Sequence, residues 1–274
     1  SLSEQSLPHG GNDMHVLSPF SNAYVNQEIE FYGLQDYDDG VGARVVVKQL
    51  FGRCDDLLND MIRFGELSAP VLFLDGRLWM SLTPMEVQSH VIPLQMAKGQ
   101  VGTAGLGLGY FALRAAAKED VTKVTVYERD PRVIRYFEQR FRDRPEFAKI
   151  EIIYGDARED MVGETFDLFY ADIYATMLPD EVLTDMVLFR ENNDIENYLF
   201  WGRERLLLES ILTGSIDRLE IDTETSLLFS EWYRAHLDGD PEYPIRRLFK
   251  ARLTTDWVEY AIQELREAGQ LYWA

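Results

Sequence analysis

Residues 101–111 read VGTAGLGLGYF: an apolar lead-in, glycines at 105, 107 and 109, and then a run suited to the first turn of a helix. A strand that passes through a glycine-rich turn into a helix lets backbone and ligand approach closely beyond the strand's carboxyl end. Alternating glycines also serve tight packing of helix on strand, so the motif needs its surroundings to decide between the two uses.

Downstream of residue 98 the pattern alternates strand and helix, the signature of a parallel sheet covered by helices. The expected strands are 100–104, 121–127, 150–154, 166–171 and 198–201, and the intervening helices are 110–118, 131–141 and 180–189. Asp130 stands at the N-cap of the second helix and Pro131 at its first position. The fold class is therefore α/β: a doubly wound, Rossmann-like, mostly parallel sheet with a small β-rich N-terminal region and a helical C-terminal part.

The expected divisions are an N-terminal region at 1–97, a Rossmann-like core at 98–215 and a helical extension at 216–274. Within the first, ARVVVKQLF (43–51) reads as a strand, residues 55–64 have helical spacing closed by Gly65, and VLFLDGRLWM (71–80) is a hairpin turning at Asp75-Gly76. A helix is expected over 84–97, kinked or broken at Pro93. Residues 1–40 show few periodic signals. In the last region, helices are expected at 203–212, 223–237 and 255–268, with a candidate strand at 245–253.

The 274 residues carry 47 acidic and 27 basic side chains, a formal charge of −20, which disfavours a nucleic-acid substrate. The arginines at 129, 132, 135, 140, 142 and 144 oppose an apolar stripe (Val133, Ile134, Phe137, Phe141) and read as a solvated face. One cysteine excludes an internal disulfide, and with only four histidines no structural metal is expected. No apolar run is long enough to span a membrane, and the polar start lacks the pattern of a signal peptide, so the expected location is cytoplasmic.

Three strand ends carry acids. Glu128 follows the second strand, 21 residues beyond Gly107, at the spacing where a carboxylate accepts two hydrogen bonds from a ribose; Asp156 follows the third strand and Asp172 the fourth. Each also reads as an ordinary cap or turn acid. The combination of glycine loop and ordered acids resembles the class I S-adenosylmethionine (SAM)-dependent methyltransferases over roughly residues 98–202.

That resemblance implies that Gly105, Leu106, Gly107, Leu108 and Gly109 wrap the methionine part of the cofactor, that Glu128 holds the ribose, and that Asp156 contacts the adenine amine. Arg129 and Ala157, which follow these two acids, belong to the same implied cofactor site. Asp172 faces both cofactor and acceptor and is the candidate to hold or deprotonate the acceptor, with Tyr174 as an orienting hydroxyl. Thr103 stands where many members have an acid. The hairpin at 72–79 and the Pro93-Leu94 pair before the glycine loop are similar to spermidine synthases. However, Leu108 and Ala175 replace two acids of that family's pattern.

The expected function is a SAM-dependent methyltransferase with a small-molecule or protein acceptor; the alternatives are an aminopropyltransferase and a non-catalytic SAM-binding or regulatory protein. A nicotinamide dinucleotide is the rival cofactor, because Gly107, Gly109 and Ala112 fit Gly-x-Gly-x-x-Ala. Against it, no His or Lys stands at a following strand end. His90 lies just before the core, within reach of an acceptor or simply buried. The aromatics Trp232, Tyr233, Trp257, Tyr260, Tyr272 and Trp273 suit an acceptor roof, a homodimer face or, most simply, core packing.

Overall fold

In the computed structural model, which describes residues 17–54, 57, 62–212, 214 and 253–271, the stretch 101–111 is the strand, turn and helix that its pattern dictates. Strand β5 (Gly99–Ala104) leads through the three glycines into α4 (Tyr110–Ala116). It sits at the centre of a five-stranded parallel sheet with β6 (Val121–Glu128) and β7 (Ile150–Tyr154) on one side, and β8 (Thr165–Ala171) and β9 (Asp194–Phe200) on the other. The order β7-β6-β5-β8-β9 reverses direction at β5, which makes the β5/β8 boundary the topological switch point of a doubly wound Rossmann-like sheet. Both faces of its central strands are covered, so Val101, Ala104, Val124, Val126, Leu168, Phe169 and Tyr170 are all buried.

Helices α5 (Pro131–Phe141), α6 (Ala157–Asp160), α7 (Glu181–Asn192) and α8 (Arg203–Leu212) complete the crossovers, and Asp130 caps α5 by accepting the Arg132 amide. The N-terminal sheet is antiparallel, in the order β1 (Tyr37–Asp38), β2 (Ala43–Cys54), β3 (Ile62–Leu74), β4 (Arg77–Ser81). The β3–β4 hairpin turns at Asp75-Gly76, where both residues have positive φ (52° and 74°), as a tight two-residue turn requires.

Several expectations change. The helix expected over 55–64 is replaced at its end: residues 62–64 belong to β3, which pairs with β2 from Ala43↔Leu74 to Cys54↔Ile62, while 55–56 and 58–61 lie outside the described residues. A long ladder outweighs a short helical spacing, since each rung satisfies backbone groups that an isolated turn of helix leaves open. The helix expected over 84–97 is two helices, α2 (Pro84–Ser89) and α3 (Val91–Met96), broken at His90 rather than at Pro93. Proline lacks the N–H that would bond the Ser89 carbonyl and crowds that turn, so the break falls one turn earlier.

Helix α1 (Asn22–Tyr32) was not expected, although Ser21 caps it and Val25, Ile29 and Tyr32 form its buried stripe. It anchors the supposed N-terminal region onto the core: the Tyr32 hydroxyl donates to the Leu108 carbonyl (2.8 Å), and Glu28 accepts from the Tyr110 hydroxyl (2.8 Å) and Arg114 (2.9 Å). One continuous hydrophobic cluster runs through both parts.

Nor are the arginines on and after α5 a simply solvated face. Arg132 bridges Asp130 and Asp75, while Arg144, beyond the end of α5, binds Glu146 and the Phe31 carbonyl, so they clip the N-terminal elements onto the sheet. At the other end, α9 (Thr255–Glu267) packs on α8, and Gln270 accepts the Tyr198 amide. The helix expected over 223–237 and all but Leu253 of the candidate strand at 245–253 lie outside the described residues, as do Trp232, Tyr233, Tyr272 and Trp273. Among the described residues no helix is long and apolar enough to cross a membrane.

Candidate functional site

The crevice at the carboxyl edge of the parallel sheet is built from the glycine turn after β5 and the residues that follow β6 and β8. Gly105, Gly107 and Gly109 all have positive φ (93°, 54° and 82°). Their surroundings explain two of the three without any ligand. A Cβ on Gly105 would overlap the backbone carbonyl of Asp172, and one on Gly109 would enter the ring of Phe137 on α5. At Gly107 the obstructing group is the thioether of Met80 at the end of the hairpin, which also accepts the Leu108 amide (3.1 Å). Gly105 and Gly109 therefore let strands and helices approach, whereas Gly107 faces one flexible side chain, that of Met80.

Glu128 reaches back to this turn. One carboxylate oxygen accepts the Leu106 amide (2.9 Å) and the other accepts the Asp130 amide (2.9 Å), so it ties the glycine loop to the start of α5. Each oxygen keeps a second lone-pair direction for an outside donor. Beside it lies a cavity of about 780 Å³ lined by Leu74, Asp75, Arg77 and Trp79 of the hairpin and by Glu128, Arg129, Asp130, Pro131 and Arg132. Arg129 is exposed at its wall, and Trp79, at 57% exposure, offers an aromatic face.

Asp156 is the N-cap of α6, accepting the Arg158 amide (3.0 Å), so its carboxylate serves the helix as the alternative reading of the sequence had it; Ala157 behind it is buried. Thr103 donates its hydroxyl to the Tyr170 carbonyl (2.8 Å) inside the sheet. Tyr174 departs from its expected role. Its hydroxyl donates to Asp185 (2.9 Å), which also accepts two bonds from Arg158 (both 2.8 Å), and burial holds its ionisation far above the usual phenol range. The group expected to orient an acceptor is committed to a buried structural network, because α7 brings Asp185 under the β8 end.

Asp172 has different company from Glu128. Its carboxylate is about a quarter exposed and lies 3.4 Å from Nε2 of buried His90. The other ring nitrogen, Nδ1, is 2.5 Å from the Glu86 carbonyl, a contact that only an N–H can make, so the neutral imidazole carries its proton on Nδ1 and turns its free lone pair on Nε2 toward Asp172. Tyr110, Phe111 and Tyr170 surround the ring at centroid distances of 5.6 to 6.0 Å.

Burial lowers the imidazole's basicity, but Asp172 and Glu86 outweigh it and the net shift is upward. Burial, with the Asp172 charge adding to it, pushes the Glu86 carboxyl up to about 7, and burial does the same for Glu204 on α8. Glu86 and Glu204 gave no sequence signal of their own. They join the site because α2 and the start of α8 bring their carboxyls close enough to the His90 imidazole to feel its charge.

No protein-family model matches the chain, and no curated protein matches it. Among solved structures it is similar to a precorrin-8w decarboxylase of Methanobacterium thermoautotrophicum, at 21% identity over 41% of this chain and 59% of that one, with a TM-score of 0.33. It is likewise similar to the DhpI–SAM–HEP complex, at 14% identity over 41% and 51% with a TM-score of 0.33. A probable spermidine synthase from Corynebacterium glutamicum matches at 14% identity over 69% and 72%, with a TM-score of 0.39. The match thus spans little more than half the length of the first two.

Proposed function

We propose that the protein is a SAM-dependent transferase, in first place a methyltransferase acting on a small molecule. The observation that carries the reading is the placement of Glu128, at the carboxyl end of β6, bonded to the glycine turn and walling a cavity of about 780 Å³. The residues suit an adenosyl group. A carboxylate with unused lone pairs can take two ribose hydroxyls, Trp79 and Arg129 offer flat faces to a base, and the turn at Gly107 is lined by a movable methionine rather than by backbone. When bound, the sulfonium supplies an electrophilic carbon and a neutral leaving group, so the protein mainly aligns and desolvates the reacting pair. Asp172 faces the acceptor side.

An aminopropyl transfer is the second reading, favoured by the hairpin that closes over the glycine turn through Met80. Calorimetric titration with SAM and with decarboxylated SAM separates the two, the tighter ligand identifying the donor. Mass spectrometry of the acceptor after incubation then distinguishes a gain of one methyl from a gain of an aminopropyl group. Tight binding of SAM with no transfer to any acceptor would mark a non-catalytic SAM-binding protein, and binding of neither donor would reject the reading.

A further inference from the structure

The cavity beside Glu128 lies in a seam. One wall is the β3–β4 hairpin, with Asp75 and Trp79, and the other is residues 128–132 at the start of α5. The Arg132 guanidinium spans the two: it donates to Asp75 at the hairpin tip (2.8 Å) and through two further nitrogens to Asp130 (3.1 and 2.8 Å). From Asp130 the bonding continues inward, because its amide donates to Glu128, whose other oxygen accepts the Leu106 amide of the glycine turn (both 2.9 Å). One line of hydrogen bonds thus joins the hairpin tip to the floor of the site.

The backbone makes room for this bridge. A Cβ at Gly42 would overlap both Asp75 and the Arg132 guanidinium, and the Gly42 carbonyl accepts the Asp75 amide (2.8 Å), which aims the hairpin tip at α5. The two ends of the bridge differ in strength. At the Asp130 end both side chains are mostly buried, and the Arg132 hydrogen bonds hold the Asp130 carboxyl below the usual carboxylate range. At the other end the Asp75 side chain is 70% exposed, so water and salt screen that ion pair and opening it costs little. The far end of the hairpin is also lightly held, since Met80 accepts the Leu108 amide through sulfur, a weak acceptor. A guanidinium fixed to one wall and loosely bonded to the other has the construction of a clasp.

We propose that the hairpin is a lid over the cavity and that Arg132 is its clasp: it stays on Asp130, takes Asp75 to close the lid, and releases Asp75 when a ligand enters or leaves. The proposal rests on the transferase reading above for its ligand and adds how the cavity is opened. Asp75 is a positioning residue, acting through the place of the hairpin. Weakening the clasp therefore speeds ligand entry and exit together and leaves their ratio, the affinity, almost unchanged. A side chain that gripped the ligand itself would behave differently, because its loss speeds exit alone.

The test is stopped-flow exchange of S-adenosylhomocysteine on the full chain, wild type and Asp75→Asn, at ionic strengths of about 0.02 M and about 0.3 M. Asparagine before Gly76 suits the positive φ of that turn, so the variant keeps the hairpin. For the wild type, both rate constants should rise about threefold with salt, the scale of an exposed ion pair, while Kd stays within about twofold. Asp75→Asn should show the faster pair of rates already at low salt and respond no further. Exchange that salt does not alter in the wild type, or rates in Asp75→Asn equal to those of the wild type at low salt, overturns the clasp. So does a variant that speeds dissociation alone, which would make Asp75 a ligand contact. If S-adenosylhomocysteine does not bind the wild-type chain in calorimetry, the transferase reading falls and takes the clasp with it, whereas the kinetic failures sink the clasp alone.

Discussion

Glu128 and Asp172 occupy corresponding places at the carboxyl ends of the two strands flanking β5, Glu128 as the last residue of β6 and Asp172 just past β8, yet they have opposite surroundings. Glu128 is engaged by backbone amides on both oxygens and opens onto a cavity walled by arginines and a tryptophan. Asp172 is backed by a buried imidazole and two further carboxyl groups. The first arrangement is rigid and suits hydrogen-bond donors of fixed geometry, such as a sugar diol. The second can take up and release protons near neutral pH. One edge of a sheet thus carries a holding half and a protonic half, with Gly105 packed against the backbone of Asp172 and Leu106 bonded to Glu128.

The largest expected effect breaks the junction between the halves. Gly105→Val forces a side chain into the Asp172 carbonyl at a φ of 93°, and because the obstacle is backbone, we expect a loss of at least about 4 kcal/mol in stability, read as failure of cooperative thermal unfolding. A variant that unfolds like the parent would show that the two strand ends are not packed as described.

The protonic half should dominate the pH dependence of stability. Glu204 has its carboxyl raised from 4.5 to about 7, so between those values the folded chain holds a proton that the unfolded chain releases. Stability therefore falls as pH rises from about 4.5 to 7. This group contributes on the order of 3 kcal/mol, with Glu86 and His90 acting in the same direction. Glu204→Gln should flatten the fall in chemical-denaturation measurements at pH 5 and pH 8, and an unchanged slope would assign it elsewhere.

In the holding half, Glu128→Ala should weaken binding of SAM or S-adenosylhomocysteine by roughly 1.5 to 3 kcal/mol, the scale of hydrogen bonds to a charged group. The structure adds a second consequence: two backbone amides lose their acceptor, so stability should also fall by about 1 to 3 kcal/mol. Met80→Ala is the mildest change. It removes the thioether from Gly107 and the Leu108 amide, and we expect a faster association of the cofactor with little loss of fold, measured by stopped-flow fluorescence. A slower association would mean that Met80 shapes the site rather than covering it.

How much of this the sequence discloses differs between the halves. The strands, the glycine turn, Glu128 and the hairpin all follow from local rules: β-branched runs, turn chemistry, and spacing from a glycine loop. The Asp75-Gly76 turn and the Asp130 cap lie where those rules put them. The protonic half is assembled from segments as far apart as residues 86 and 204, and nothing local marks Glu86 or Glu204 as members. Tyr174 illustrates the converse: it stands at the right strand end, but α7 supplies an aspartate that captures its hydroxyl. The alternating glycines, too, prove to have different neighbours, Gly105 the Asp172 backbone, Gly109 the Phe137 ring and Gly107 the Met80 side chain, which spacing alone does not separate.

The central claim is that the β6 end holds an adenosyl cofactor through Glu128. Its most direct test is side-by-side calorimetry of the wild-type chain and Glu128→Gln, which keeps the side chain's size, against S-adenosylhomocysteine and NADH. The account predicts that the wild type binds S-adenosylhomocysteine and not NADH, and that Glu128→Gln binds it about tenfold or more weakly while still unfolding cooperatively. Equal affinity in the two proteins, or tighter binding of NADH, would contradict it.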